Sequence, residues 1–215
     1  MTRRYVQQIR AESAQETRRR ILDAMAERLR QAPTEPLSLD RIASMAQVSR
    51  STIYLTFGSR AGLFEAFADD LGERTGLAAL QEANRAPDPR DKLRGAIAAG
   101  NRMYAADRPL FRVLFSMRQL DPSAIGGRAQ RNEQSRAEGI AWLTGLLADA
   151  GELRPDLGVD DAAHLLFALS SFETFDTLYT ERGLPLESVT ELTLSMIERA
   201  LLRSGPDGGA ARSQR

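Results

Sequence analysis

Apolar residues recur three and four positions apart along most of the chain, the spacing of one face of an α-helix. The first apolar stripe includes Ile21, Met25 and Leu29, and it ends before Pro33, where a helix is not expected to continue. Alternating β-branched runs, which are typical of strands, are missing from the sequence. The pattern therefore predicts an all-α protein of about nine helices.

Two of the predicted helices are short and follow each other closely. Ser38 is a good N-cap for the first, and Ser49 caps the second, in which Ile53 and Phe57 face inward. Gly58 is expected to end the second helix. Two short helices joined by a tight turn indicate a helix-turn-helix.

Caps, glycines and prolines set the remaining helix boundaries. A proline-rich joint at 86–89 is too short for a flexible linker, so it predicts a rigid connection. The predicted helices span about 14–31, 38–46, 49–57, 59–84, 90–106, 109–120, 128–150, 159–181 and 185–203. We divide the chain into a basic helical domain at 1–60, a larger helical domain at 61–203 and a disordered tail at 204–215.

Charge is balanced overall but unevenly distributed. Residues 1–60 hold 11 arginines and 6 acids, whereas residues 61–215 hold 18 basic and 23 acidic groups. This asymmetry favours an anion-binding head on an acidic body. The absence of cysteine and the single histidine argue against a metal site, and we expect no cofactor. Without a secretory signal or a membrane-length apolar run, we expect a soluble cytoplasmic protein.

The polar side chains around the second short helix are suited to DNA. If Ile53 and Phe57 face the core, the donor-rich residues stay on the exposed sides, with one arginine fork for guanine and several hydroxyls for phosphate. The two N-cap serines lie where free N–H groups attract phosphate, and Arg60 lies in the next first turn. The candidate DNA contacts are Ser38, Ser49, Arg50, Ser51, Thr52, Tyr54, Thr56 and Arg60. On pattern alone, a plain helical hairpin with a solvated polar face is an equal alternative.

The run IASMAQVSRSTIYLTFGSRAGLFEAF resembles the DNA-binding segment of TetR/AcrR-type repressors, whose pattern is roughly I-A-x-x-A-G-V-S-x-x-T-[LI]-Y-x-[HY]-F-x-[SN]-K-x-x-L. Eleven residues agree with this pattern in register: Ile42, Ala43, Ala46, Val48, Ser49, Thr52, Ile53, Tyr54, Phe57, Ser59 and Leu63. The resemblance implies a DNA-binding, homodimeric transcription regulator with an N-terminal helix-turn-helix domain and a helical effector domain. It also implies that the basic N-terminal arm with Arg3, Arg4 and Arg10 can reach the minor groove, although a disordered tail is an equal alternative.

Four positions depart from the family pattern. Gln47 replaces the glycine of the turn, so a positive φ there would cost roughly 1 kcal/mol. Arg60 replaces a lysine and can still bind phosphate. Thr56 replaces a histidine or tyrosine, which predicts a shorter contact or none. Asp40 lies where relatives often carry a polar or basic residue, so it would either repel phosphate or accept a hydrogen bond from cytosine.

The C-terminal half continues the resemblance more weakly. Residues 151–156, Gly-Glu-Leu-Arg-Pro-Asp, look like the loop that joins late helices in this family, whose last two helices pair with those of a second subunit. Two broad apolar stripes support such a twofold interface independently. The candidate interface residues are Leu165, Leu169, Phe172, Phe175, Val189, Leu192, Met196 and Ile197. A dimer would place two recognition helices about 34–36 Å apart, in successive major grooves of a palindromic operator.

Aromatic and sulfur side chains in the body predict a pocket for a small apolar effector, with ordinary core packing as the alternative. The candidate pocket residues are Tyr104, Phe111, Phe115, Met117, Trp142 and Phe172. The leading hypothesis is a repressor that such an effector releases from its operator. The second is a constitutive or partner-controlled DNA-binding regulator. An enzyme is disfavoured because nucleophile, phosphate-loop and dinucleotide motifs are missing from the sequence.

Overall fold

A computed structural model describes residues 3–120 and 126–203, and these residues form two compact units. Within the described residues, one unit comprises 3–74, 109–120 and 126–131, and the other comprises 75–108 and 132–203. The described residues are helical apart from short connections and one isolated β-bridge, which confirms the predicted all-α class. The elements are α1 (Arg3–Gln31), α2 (Leu39–Met45), α3 (Arg50–Phe57), α4 (Arg60–Thr75), α5 (Leu77–Ala83), α6 (Pro89–Ala106), α7 (Arg108–Leu120), α8 (Gly126–Asp149), α9 (Val159–Leu169), α10 (Phe172–Asp176), a π-helical turn (Thr177–Glu181) and α11 (Leu186–Leu201).

Three predicted boundaries were wrong. The first helix begins at Arg3 rather than near residue 14, because residues 3–13 contain no glycine or proline to stop it. The fourth divides at Gly76, whose φ of 116° lies outside the helical range. The helix predicted for 159–181 breaks after Leu169, and the chain restarts as α10 with Ser171 as its N-cap. The predicted tail at 204–215 lies outside the described residues.

In the first unit, α1, α2 and α3 pack around fully buried aliphatic side chains. Ile21 and Met25 of α1 meet a core that includes Ile42 of α2 and Ile53 of α3, and each of these is at most 1% exposed. Arg18 places its guanidinium carbon 4.9 Å from the centroid of the Phe57 ring. These contacts fix α3 by one face only and leave its other face in solvent.

A buried arginine holds the connection between α1 and α2. Arg28 donates from Nη1 to the Ala32 carbonyl oxygen over 3.0 Å and from Nη2 to Glu35 Oε2 over 2.7 Å. Its side chain is only 8% exposed, whereas that of Glu35 is 68% exposed. The arginine therefore satisfies a backbone carbonyl of the connection that follows α1.

The second unit has its own aliphatic core, formed by α6, α8, α9 and α11 together with the segment after α11. Leu93, Leu147, Leu166 and Ile197 are at its centre, each no more than 1% exposed. The loop after α8 reaches the end of α11, where Arg154 N donates to the Leu201 carbonyl oxygen and Arg203 N donates to that of Glu152. This pairing closes the unit with a bridge between Leu153 and Leu202.

Polar side chains contact the ends of α9 and α10. Arg136 Nη2 donates to the Phe167 carbonyl oxygen over 2.6 Å and to Ser170 Oγ over 3.0 Å, which satisfies the end of α9. At the end of α10, Asp176 Oδ1 accepts from Arg108 Nε and from Thr180 Oγ1, each over 2.7 Å. These partners are distant in sequence or specific to this fold, so helical periodicity alone did not reveal the break.

Candidate nucleic-acid interface

Side-chain caps define the two helices of the predicted helix-turn-helix. Ser38 Oγ accepts from Arg41 N over 3.4 Å at the start of α2, and Ser49 Oγ accepts from Thr52 N over 3.1 Å at the start of α3. Gly58, with a φ of 75°, ends α3. All three predicted caps are confirmed. Their chemistry is local, because each satisfies backbone groups within one turn.

The turn between the helices contains a left-handed residue. Gln47 has a φ of 54°, the one positive φ at a non-glycine position in the described chain. Its N–H donates to the Ser44 carbonyl oxygen over 3.2 Å, and Val48 N donates to that of Ala43 over 3.0 Å. The predicted strain at this position is therefore present, and the hydrogen bonds of the turn maintain it.

The outward face of α3 combines polar side chains with one leucine. Ile53 is 1% exposed and anchors the helix, while Tyr54 is 40% exposed. Arg50 and Ser51 are exposed as well. Leu55, at 87%, is exposed further than any other large apolar residue on α3. Leu55 was not among the predicted contacts, although its place two residues after Ile53 puts it on the opposite side of the helix.

An ion pair links α2 to this face. Arg50 Nη1 lies 3.2 Å from Asp40 Oδ2 and 3.5 Å from Oδ1, and Arg50 Nη2 donates to Tyr54 Oη over 3.4 Å. The guanidinium carbon is 5.8 Å from the Tyr54 ring centroid. The hydrogen bond to Tyr54 and the charge of Asp40 raise the pKa of Arg50, so its positive charge is secure.

Three hydroxyl groups lie at the N-terminal turn of α3. Ser49 Oγ lies 2.7 Å from Ser51 Oγ and 2.8 Å from Thr52 Oγ1, so the three form one hydrogen-bonded group. Thr56 Oγ1 donates to the Thr52 carbonyl oxygen over 2.8 Å. Thr56 therefore uses its proton within the helix and can only accept from an outside partner.

The start of α4 follows closely on the end of α3. Ser59 Oγ accepts from Gly62 N over 2.9 Å, so Ser59 caps the start of α4. A Cβ atom at Gly62 would collide with the Phe57 carbonyl oxygen, so glycine allows this close approach. Arg60 is exposed, with its guanidinium carbon 5.6 Å from the Phe64 ring centroid.

The predicted pocket residues are divided between the units. Tyr104 and Phe172, in the second unit, meet edge to face with ring centroids 5.3 Å apart, and Phe175 lies 5.6 Å from Tyr104. Trp142 belongs to the same unit but is 47% exposed, with Lys92 Nζ 5.5 Å from its ring centroid. The other three predicted residues, Phe111, Phe115 and Met117, lie on α7 within the first unit.

The predicted interface residues also fall into two groups. Leu165 of α9 and Leu192 and Met196 of α11 are 39%, 45% and 37% exposed, and Leu169 is partly buried. The other four serve the core of their own chain, with exposures of 4% or less, which leaves them almost no surface for a partner: Phe172, Phe175, Val189 and Ile197. An apolar stripe predicts that one face of a helix is buried, but it does not show whether the same chain or a second subunit covers that face.

The described residues contain no cluster of three or more histidine, cysteine, aspartate or glutamate side chains placed to hold a metal ion. None of the helices in the described ranges is both long and apolar enough to cross a membrane.

Solved structures with the same fold confirm the architecture. The NalD structure, described as the secondary repressor of the MexAB-OprM multidrug efflux pump in Pseudomonas aeruginosa, superposes with a TM-score of 0.71 at 24% identity, covering 89% of this chain and 98% of that one. A TetR family transcription regulator from Marinobacter aquaeolei VT8 gives 0.69 at 18% identity, covering 90% and 100%. A putative fatty acid metabolism regulator from Clostridium perfringens gives 0.68 at 18% identity, covering 86% and 100%.

The capped helices α2 and α3 and the turn between them form a helix-turn-helix. Residues 21–67 match the family model of the bacterial regulatory proteins of the tetR family. The matched residues include all of α2 and α3 and parts of α1 and α4. No curated protein sequence matches it significantly.

Proposed function

We propose that the chain is a homodimeric repressor that reads a palindromic operator through α3 and is released from it by a small apolar effector. DNA reading is assigned to residues 1–60, and effector binding and dimerisation to residues 61–203. The observation that carries the proposal is the solvent-facing side of α3, where Arg50, Ser51 and Tyr54 are exposed together next to the capped turn. This face offers charged and hydroxyl donors, which suit base edges and phosphate oxygens.

The predicted DNA contacts have three roles in this proposal. Arg50 reads a guanine, because its guanidinium fork matches the O6 and N7 acceptors of that base. Tyr54 and Arg60 bind phosphate. The remaining contacts are hydroxyls that position the helix ends on the backbone: Ser38, Ser49, Ser51, Thr52 and Thr56.

Mutagenesis on the full chain tests this assignment. DNA fragments selected from the source genome and then footprinted would yield a palindromic site, and binding would weaken as salt rises. Arg50→Ala should relax the base preference at one position of each half-site, whereas Arg60→Ala should weaken all sequences alike. Binding that is independent of sequence, or an unchanged preference in Arg50→Ala, would contradict the proposal.

Dimerisation is proposed to use the exposed apolar side chains of α9 and α11. Leu165, Leu192 and Met196 are more than one third exposed, although each is a residue type that is usually buried. Leu192→Glu should convert the dimer to a monomer in sedimentation velocity and abolish binding to a palindrome. Leu77→Glu is the matched control, because Leu77 is 37% exposed on α5 and should leave the assembly intact.

The effector is proposed to act through the aromatic cluster of Tyr104 and Phe172. Their ring contact, together with Phe175, makes an apolar centre in the second unit that a hydrophobic compound could rearrange. Thermal-shift screening with hydrophobic small molecules, followed by operator binding, tests this step. A compound that stabilises the protein without weakening operator binding would favour the alternative, a constitutive or partner-controlled regulator.

A further inference from the structure

An acidic residue stands on the surface proposed to meet DNA. Asp40 is the one acid in the sequences of α2 and α3, and its side chain is 71% exposed. A carboxylate near a phosphate backbone repels it, so Asp40 lowers affinity for every DNA sequence. An acid that weakens DNA binding at this position is explained only if it has a second function there.

The contacts of Asp40 indicate that role. Its carboxylate holds Arg50 Nη1 at 3.2 Å, while Tyr54 Oη accepts from Arg50 Nη2. The two partners come from different helices, so they restrain the guanidinium from α2 and from α3. An arginine has five N–H donors, and these contacts leave at least two of them for a base.

We propose that Asp40 is a positioning residue that fixes the Arg50 guanidinium for a guanine in the major groove. A long arginine side chain that is already oriented loses less rotamer freedom on binding than a mobile one. A restrained guanidinium also has less freedom to turn to a phosphate, which reduces binding to wrong sequences. Asp40 therefore exchanges overall affinity for base selectivity. This inference rests on the proposed reading of DNA by α3.

Two other roles for Asp40 predict different results. If its carboxylate accepts directly from cytosine, it specifies a base pair of its own and does so without Arg50. If it only reduces the positive charge of the surface, its removal strengthens all sequences equally. A double-mutant cycle separates these roles from positioning, because only a positioning residue needs Arg50 for its effect.

The experiment measures binding of the full chain to its selected operator and to variants carrying each base pair at every half-site position. The proteins are wild type, Asp40→Ala, Arg50→Ala and the double variant. Asp40→Ala should bind nonspecific DNA more tightly and lose about tenfold of the preference for guanine at the Arg50 position. In the Arg50→Ala background, Asp40→Ala should leave the base preference unchanged.

Asp23→Ala provides the matched control. Asp23 is an exposed acid in the same unit, and it pairs with Arg74 at 3.2 Å rather than with Arg50. This variant should retain the full guanine preference. The inference is overturned if Asp40→Ala keeps that preference, or if it changes a base preference equally with and without Arg50. If wild type itself selects no DNA sequence, the proposed function fails as well.

Discussion

Two arginine–aspartate ion pairs, one in each unit, differ in burial and therefore in what they contribute to the protein. Arg50 and Asp40 lie on the outer face of the helix-turn-helix, with side chains 54% and 71% exposed. Arg108 and Asp176 lie in the second unit, with side chains 22% and 11% exposed and Nε 2.7 Å from Oδ1. Water competes for the first pair, so it adds little to the stability of the fold and leaves the guanidinium accessible from outside. The second pair is largely removed from water and serves the fold.

The largest predicted effect on stability comes from removing the aspartate of the buried pair. Asp176→Ala should lower the free energy of unfolding by about 3 kcal/mol, because it leaves the Arg108 charge without its carboxylate in a poorly solvated place. Thr180 would lose its acceptor at the same time. Urea denaturation followed by circular dichroism measures the loss.

Asp40→Ala is the matched control, because it removes the aspartate of the exposed pair and should leave the urea midpoint unchanged within error. Replacing both buried partners, with Arg108→Met and Asp176→Leu, should restore most of the lost stability, since no charge is then left unpaired. Equal losses from Asp176→Ala and Asp40→Ala would show that burial does not distinguish the two pairs.

The second prediction tests whether the stability lost on replacing an arginine depends on its burial or on the unit in which it lies. Arg28 belongs to the same unit as Arg50 but is buried, and it donates to Ala32 and Glu35 at the entrance to α2. Arg28→Met keeps the aliphatic packing and removes the donors, which should cost about 1.5 kcal/mol. Arg30→Met is the control, since Arg30 is 39% exposed and lies 3.7 Å from Glu27. A loss of the same size at both positions would rule out burial as the cause.

Local chemistry accounts for what the sequence predicted well. The caps at Ser38, Ser49 and Gly58 depend on side chains and backbone within a turn, so a short window is enough to find them. The positive φ at Gln47 followed from the register of the family pattern. The helix-turn-helix could therefore be placed before any tertiary contact was known.

Contacts between distant residues account for what the sequence did not predict. Arg136 contacts the end of α9 at Phe167, 31 residues away, and Arg108 contacts the end of α10 at Asp176, 68 residues away. Periodicity also assigned Val189 and Ile197 to an interface, although they pack inside their own chain. The pairing of Asp40 with Arg50 depends on the angle at which α2 meets α3, and a sequence pattern does not contain that angle.

A third prediction concerns the exposed face alone. Leu55 is 87% exposed, so Leu55→Ala should leave the unfolding midpoint nearly unchanged. If Leu55 packs against a thymine methyl in the groove, the variant should bind the operator about fivefold more weakly, as expected for about 1 kcal/mol of lost apolar contact. Fluorescence anisotropy with a labelled operator measures the change. Leu77→Ala on α5 should bind normally, and an operator affinity unaffected by Leu55→Ala would remove this residue from the reading face.

The smallest predicted effect is at the turn that presents the exposed pair. Gln47→Gly should raise the free energy of unfolding by about 0.5 kcal/mol, because glycine relieves a left-handed conformation that costs a side-chain-bearing residue about 1–2 kcal/mol, while its own flexibility in the unfolded chain offsets part of the gain. The backbone hydrogen bond from Gln47 N to Ser44 remains available to glycine. The urea midpoint should therefore rise at an unchanged slope.

Gln47→Ala is the informative control for this prediction, because alanine removes the glutamine side chain but keeps the Cβ and hence the strain. It should give no gain in stability. If alanine stabilised the protein as much as glycine does, the glutamine side chain rather than the backbone would be the source of the cost. Operator affinity should be equal in wild type and Gln47→Gly, since the turn keeps its hydrogen bonds and α3 keeps its Ser49 cap. If Gln47→Gly raises stability and leaves operator affinity unchanged, the backbone strain of the turn is independent of DNA recognition. The buried Arg108–Asp176 pair differs, because its removal is expected to destabilise the fold itself.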